Sequence, residues 1–216
     1  MHTPAIRETI ASAVRTERAT GQLALQLEEQ MPRLHQKLVL PERAPVAALM
    51  QFITDYIESV PGCLSLVNAV SKRLGFHDYA APFLHMAGDY FLQPPRIPAH
   101  DSPLEAVLDA AFLAHRLLEE VNDHHIRHLH HPLLPLDMTE ANIIVHHLLG
   151  DEFASQLEEL IQSATRQLLC REHAWDMVRN MPGTAAAPDA VICSCQLVGS
   201  PPQIRLRLVS GAGETG

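Results

Sequence analysis

The 216-residue sequence predicts a mainly α protein, a helical bundle of five or six helices with a small C-terminal β-hairpin. Apolar residues recur at the three- and four-residue spacing of amphipathic helices through most of the chain. Ser102-Pro103-Leu104-Glu105 combines an N-cap, a proline at the first helical position and a capping-box glutamate. Near the C-terminus, apolar residues instead alternate with polar ones, which is typical of strands. Sparse aromatic residues favour an aliphatic core of packed helices.

Six helical segments are predicted from apolar periodicity and from the glycine, proline and N-cap residues that bound them. They cover residues 3–30, 46–60, 63–74, 77–92, 103–130 and 139 to beyond 169. We expect Gly21 to loosen the first helix and Pro32 to end it, and Pro61-Gly62 to end the second. Residues 141–149 are apolar nearly all round, which predicts a central helix. The apolar stripe changes sides near Gly150, which predicts a kink or a new packing partner there.

After Pro182-Gly183 the character of the chain changes. Residues 191–197 and 204–208 alternate apolar and polar side chains and predict two strands joined by a turn. Because a lone hairpin is marginal in water, we expect it to lie on the helices or to pair with another chain. The predicted domains are therefore a helical bundle over 1–183 and a linker, hairpin and tail over 184–216.

Acidic residues and histidines are concentrated in the middle of the chain. Residues 44–170 carry 6 basic and 16 acidic side chains and 11 of the 14 histidines. Such a surface argues against nucleic acid or an anionic membrane as the main partner. No apolar run is long enough to span a bilayer, and the N-terminus lacks the pattern of a signal peptide. We therefore expect a cytoplasmic protein.

The four cysteines show no CxxC pair and no spacing typical of a disulfide framework. We expect reduced thiols, which fits a cytoplasmic location. Cys193 and Cys195 offer two thiols that suit a soft metal. On a strand, however, residues two apart point to the same side, which favours simple packing of the pair.

Histidines can be placed against the apolar stripe of their own predicted helix, because each residue advances about 100°. His115 falls in the middle of the stripe of helix 103–130, and Glu119 lies one turn later at its margin. His146 and His147 lie inside the apolar run 141–149, and Asp151 follows His147 by one turn. The opposite face of helix 103–130 is predicted to be solvated: Glu105, Asp109, Arg116, Glu120, Asp123, His124 and Arg127.

Imidazole and carboxylate groups held inward from two helices are the ligands that helical bundles use for iron, manganese or zinc. The sequence therefore predicts a metal site at His115, Glu119, His147 and Asp151, with His146 and Glu152 as alternative ligands and Asn122 orienting a ligand. Iron or manganese is expected, and zinc is compatible with the same ligands. Such a site suits an oxidoreductase acting on a small-molecule substrate, although the sequence identifies neither the substrate nor the reaction.

Part of this pattern resembles haemerythrin-like bundles, which use HxxxE, HxxxH and HxxxxD motifs on successive helices. The corresponding residues are His115-x3-Glu119, His124-x3-His128 and His146-x4-Asp151. Only four residues separate Glu119 from His124, so the first two motifs are predicted to share one helix and to face different ways. The chain is therefore not identified as a member of that family.

A second hypothesis belongs to another class: a non-enzymatic regulatory or adaptor protein, dimeric, whose buried histidines are structural or pH-sensing. The chain has no glycine-rich phosphate loop, no nucleophile elbow and no HExxH motif. The two hypotheses differ in the surroundings of His115. A metal site needs its ring near the other ligands, whereas a structural histidine is satisfied by backbone and neighbouring side chains.

Overall fold

The computed structural model describes residues 3–74, 77–92, 102–130, 137–169 and 204–207. Within those ranges the chain forms seven helices and two short strands, which confirms the predicted mainly α class. In chain order the elements are α1 (Thr3–Thr20), α2 (Gln22–Lys37), β1 (Leu38–Val39), α3 (Pro45–Leu74), α4 (His77–Leu92), α5 (Pro103–Leu129), α6 (Thr139–Leu149), α7 (Asp151–Leu169) and β2 (Arg205–Leu206). None of the described helices has the length and apolar character needed to cross a membrane.

Two glycines with positive φ angles divide stretches predicted as continuous helices. Gly21, with φ 66°, separates α1 from α2, and Gly150, with φ 95°, separates α6 from α7. Residues with a Cβ rarely adopt such angles, so the chain turns where glycine stands. A Cβ at position 150 would also lie 3.2 Å from Nη1 of Arg33. The predicted change at Gly150 is confirmed, and it separates two helices.

Two prolines that were expected to end helices lie inside them. α2 continues through Pro32, and α3 continues through Pro61. Proline removes one helical N–H donor and costs about 3 kcal/mol relative to alanine in a helix interior. The side chains beside Pro61, including Val60 and Leu64, are fully buried. Both predicted helix ends were wrong, and at Pro61 tertiary burial outweighs local propensity.

The central element is α5, which packs against α1, α3, α4, α6 and α7. It begins as predicted: the Leu104 N–H donates to Oγ of the N-cap Ser102 at 3.2 Å. Five consecutive residues, 110–114, are buried, so the helix has no solvated face over that stretch. Asp109 was expected to face solvent but is only 3% exposed. That prediction was wrong because a helix surrounded by five others has more than one buried face.

The run 141–149, expected to form the central helix, corresponds to most of α6. Ala141, Ile144, Val145 and Leu148 are buried, but Ile143 is 40% exposed. α6 therefore has a surface side, and the central position belongs to α5.

The two strands pair antiparallel, with Leu38 opposite Leu206 and Val39 opposite Arg205. Ile204, just before β2, is buried and belongs to the main hydrophobic core. The strand predicted over 204–208 is confirmed in its described part, and it lies on the helices. Its partner in the described structure is β1, whereas the predicted partner strand 191–197 lies outside the described residues. The domain boundary predicted at residue 183 also lies outside them and stays a prediction.

A buried carboxylate ties three helix ends together. Glu17 of α1 is almost fully buried, and it accepts hydrogen bonds from the N–H groups of Leu23 and Ala24 at 3.1 Å each. Ser102 Oγ donates to the same carboxylate at 3.1 Å. Glu17 therefore caps the first turn of α2 and holds the N-cap of α5, and a negative charge at helix N-termini is favourable.

We expect Glu17→Ala to lower the free energy of unfolding by about 2 kcal/mol, because it leaves buried donors without an acceptor. Urea unfolding followed by circular dichroism measures this loss. Glu8→Ala is the matched control on α1, since the Glu8 side chain is exposed and its ion pair within the described residues is with exposed Arg15. A Glu17→Ala variant as stable as Glu8→Ala would contradict the capping role.

Candidate functional site

His115 lies at the centre of the bundle, as the stripe analysis predicted, and is 1% exposed. Its Nε2 lies 3.0 Å from Oγ of Ser59 and 3.2 Å from the carbonyl oxygen of Tyr56, both on α3. The Tyr56 ring packs against the imidazole with 4.5 Å between centroids. Burial lowers the pKa of His115 from 6.5 to about 4, against the raising effects of the Tyr56 carbonyl and the Glu119 charge. The ring is therefore neutral at neutral pH.

The hydrogen bonds around Ser59 assign the tautomer of His115. The Ser59 hydroxyl donates its single proton to the Tyr56 carbonyl oxygen at 2.8 Å. The Tyr56 carbonyl oxygen can only accept, so its contact with His115 assigns the ring proton to Nε2, and Ser59 Oγ accepts from the same N–H. Nε2 of His115 is consequently a donor to α3, and its lone pair is not available to a metal ion.

Glu119, one turn along α5, binds a different set of groups. Its carboxylate accepts from Nδ2 of Asn142 at 2.8 Å, from Oγ1 of Thr139 at 3.1 Å and from the guanidinium of Arg116. Asn142 Oδ1 in turn accepts from the Tyr56 hydroxyl at 2.8 Å. Burial raises the pKa of Tyr56 well above its ordinary value, with the Glu119 charge adding to the effect, so this phenol stays a donor.

Arg116 extends this set of polar groups from α5 toward α7 through ion pairs. Besides Glu119, its guanidinium nitrogens lie 3.5 Å from Glu120 and 3.5 Å from Glu158. Glu158 Oε1 lies 3.4 Å from Nδ1 of His146. One cation that is four-fifths buried thus lies beside three partly buried carboxylates, an arrangement that fixes the geometry of neighbouring helices.

The junction of α6 and α7 holds the remaining predicted ligands. His147 Nδ1 lies 3.0 Å from Oδ1 of Asp151, and His146 Nε2 lies 3.8 Å from the same oxygen. Lys37 of α2 lies 3.7 Å from Oδ2 of Asp151. The hydrogen bond from His147, helped by the Lys37 charge, lowers the pKa of Asp151 despite some burial. Arg33 donates to the carbonyl oxygen of His147 at 3.0 Å, so α2 is held to this corner.

These contacts form one chain of polar groups across the bundle, which we call the polar network. Its members, in order, are Ser59, His115, Tyr56, Asn142, Glu119, Arg116, Glu158, His146, Asp151, His147 and Lys37. The network joins α3, α5, α6, α7 and α2. Five of the residues predicted as ligands belong to it, but they do not converge on one point: His146, His147 and Asp151 contact one another, whereas His115 and Glu119 contact other groups.

The predicted ligands are therefore divided among three places: His115 against α3, Glu119 against the start of α6, and the others at the α6–α7 corner. In the part of the chain that the structure describes, no group of three or more His, Cys, Asp or Glu side chains has the arrangement needed to hold a metal ion. The HxxxE and HxxxH motifs share α5, as their spacing predicted. Asn142, and not the predicted Asn122, supplies the amide beside Glu119.

Five members of the polar network were not singled out from the sequence: Tyr56, Ser59, Asn142, Glu158 and Lys37. Asn142 carried a usable signal, because it is a polar side chain inside the apolar run 141–149 and must find a partner when buried. The others carried none, since Tyr56 lies 86 residues from Asn142 and 59 from His115 along the chain.

A separate groove of about 680 Å³ lies between α1, α4 and the start of α5. Its polar lining includes Glu8, Thr9, Ser12 and Thr16, with Tyr90 from α4. Its volume is in the range of small-molecule sites. No predicted ligand lines it, so it offers no support to the predicted metal site.

Comparison with protein-family models, with curated proteins and with solved structures gave no match to this chain.

Proposed function

We propose that this chain is a non-enzymatic regulatory or adaptor protein whose inward-facing histidines hold the helices together. The observation that carries the proposal is the protonated Nε2 of His115, bonded to Ser59 Oγ and the Tyr56 carbonyl. A buried imidazole satisfied by a neighbouring helix is a structural residue. The rest of the polar network extends the same role, since it bonds side chains from five helices to one another.

The directions of the other side chains support this reading. Glu119 accepts from three protein donors, and Arg116 already balances its charge. His146 has a carboxylate beside each ring nitrogen, Glu158 at Nδ1 and Asp151 at Nε2. Metal ligands must instead converge on one point at about 2 Å. Two acids on opposite sides of one imidazole orient the ring rather than share an ion with it.

One observation favours a second candidate, a metal-binding protein of the non-haem iron or manganese kind. His146 Nε2 and His147 Nδ1 both face Oδ1 of Asp151, at 3.8 and 3.0 Å. Two imidazoles and one carboxylate are the ligands of mononuclear iron sites, and zinc accepts the same donors. Oxidoreductase activity belongs to this candidate alone. Glu119 and His115 are not part of this smaller set.

Metal analysis of protein purified without a polyhistidine tag separates the two candidates. The variants are His115→Gln and His147→Gln, with His85→Gln on α4 as the control, because His85 is exposed. We expect no stoichiometric metal in any of them, before or after addition of Fe²⁺, Mn²⁺ or Zn²⁺. We also expect His115→Gln to lower the free energy of unfolding by about 2 kcal/mol, because a buried hydrogen-bonded group is lost.

One equivalent of metal in the wild type, lost in His147→Gln and retained in His85→Gln, would overturn the structural reading in favour of the second candidate. The dimer and the cytoplasmic location expected from the sequence stay predictions. Light scattering on the same samples measures the oligomeric state directly.

A further inference from the structure

We propose that β1 and the first turn of α6 form a docking site for an extended segment with alternating apolar and basic residues. Residues 204–207 of the chain fill this site, and we infer that a partner segment of the same chemistry displaces them. The inference depends on α6, β1 and β2 and on none of the histidines. It gives the proposed adaptor a partner surface but can fail or succeed independently of the polar network.

The docked segment is recognised in part through its apolar side chains, which alternate with arginines in Ile204-Arg205-Leu206-Arg207. Ile204 is 2% exposed and belongs to the core, and Leu206 is half-buried against it, whereas both arginines are exposed. Inward and outward side chains therefore follow the period of two of a strand. Ile204 is the anchor that fixes the register of the segment on the bundle.

The backbone half of the recognition is strand pairing with β1. Leu206 lies opposite Leu38, and the Arg207 N–H donates to the carbonyl oxygen of Lys37 at 2.8 Å. Main-chain pairing of this kind accepts any extended segment, while alternate side-chain pockets select its sequence. A guest strand needs only the same pattern to make these bonds.

Glu140 in the first turn of α6 supplies the charge selection. Its carboxylate lies 3.4 Å from the Arg205 guanidinium and 3.5 Å from the Leu206 amide nitrogen. One acid thus faces both the basic side chain and the backbone of the docked segment. The pair is solvent-exposed, so it adds selectivity for a basic residue more than affinity.

The described contact is small enough to exchange. The ladder has two residues on each strand, and isolated two-stranded pairs are marginal in water. The docked residues and the docking elements belong to one chain, so docking is an intramolecular event. The docking elements also expose apolar side chains, Val39 on β1 and Ile143 on α6, which a longer apolar segment would cover.

The test uses the full chain and a labelled synthetic peptide of residues 202–209. In the double variant Ile204→Asp/Leu206→Asp the chain's own segment no longer docks, so the peptide should bind. Wild type should bind it about tenfold more weakly, because its own segment competes for the same site. Adding Glu140→Arg to the double variant should abolish binding, and a peptide carrying Arg205→Glu should restore it. A peptide of scrambled sequence is the control.

A second measurement stands even where the double variant does not fold. Hydrogen exchange of the wild-type chain reports the Arg207 amide, which the Lys37 carbonyl protects, and excess peptide should accelerate its exchange. Equal peptide affinity for wild type and the folded double variant, or binding that ignores the Glu140 charge, would overturn the proposal. A wild-type dimer that the double variant converts to monomer would also overturn it, because the segment would then serve a second copy of this chain.

Discussion

Replacing Asp109 by asparagine should stabilise the fold by about 4 kcal/mol at about pH 7. Asp109 lies on α5 with its carboxyl group buried. Burial, with the nearby Glu105 charge adding to it, raises the pKa of Asp109 from 3.8 to about 8. At neutral pH the folded protein must therefore hold a proton that the unfolded chain releases. Asparagine has the size of the protonated acid and avoids this cost.

The free energy that Asp109 contributes to folding changes with pH in a defined direction. Because the pKa of Asp109 is raised on folding, its contribution is fully present below about pH 3.8 and is lost as the pH rises to about 8. Urea unfolding at a series of pH values should show the stability of wild type falling relative to Asp109→Asn across that window. Asp123→Asn is the matched control, an exposed position on the same helix. Parallel curves for wild type and Asp109→Asn would contradict the buried, protonated carboxyl.

Asp109 also shows where stripe analysis of a sequence stops working. The method assigns each helix one apolar face, and on that basis Asp109 falls opposite the stripe. α5 packs against five helices, so residues on every side of it meet other side chains. In the sequence, the central position of α5 is indicated only by a run of small and apolar residues at 110–114. An interpretation that assigns one apolar face to each helix does not use this run.

The same method worked where a helix end or an inward side chain depends on local chemistry. The Ser102 cap, the inward position of His115 and the change at Gly150 all follow from residue type and spacing within one segment. The continuity of α3 was not predicted, because Pro61 was interpreted from its helix propensity alone. Whether a proline ends a helix depends on what the flanking residues bury, and that is a tertiary property.

The sequence predicted five of the residues in the candidate site but not the contacts that join them to other helices. Five of the expected ligands lie in the polar network, yet His115 and Glu119 find partners on helices other than their own. His115 bonds to α3 and not to Glu119, and Glu119 reaches Tyr56 only through Asn142. Spacing along one helix places two groups on one face, but it contains no information about which group on another helix they meet.

The buried imidazole of His115 should make the protein acid-labile by about 3 kcal/mol between about pH 6.5 and pH 4. Its pKa is about 4 in the fold and 6.5 when unfolded, so over this range the unfolded chain binds a proton that the folded protein excludes. A pKa depressed on folding contributes stability that is fully present above 6.5 and is lost as the pH falls to about 4. About 2 kcal/mol should already be lost at about pH 5.

The measurement is the difference in unfolding free energy between wild type and His115→Gln at each pH, since glutamine does not titrate. Taking the difference removes Asp109, whose contribution changes in the opposite direction over the same range. Among the described residues, Glu119 acts on His115 through its charge from the next turn of α5. The α3 contacts of His115 are Ser59 Oγ and the Tyr56 carbonyl, neither of which is acidic. None of these groups replaces the hydration that a charged imidazolium loses on burial, so the folded protein requires the neutral ring. A difference in unfolding free energy that stays constant from about pH 7 to pH 4 would mean that the folded protein accepts the proton as readily as the unfolded chain. His115 would then not be the buried donor to α3 on which the structural role of the network depends.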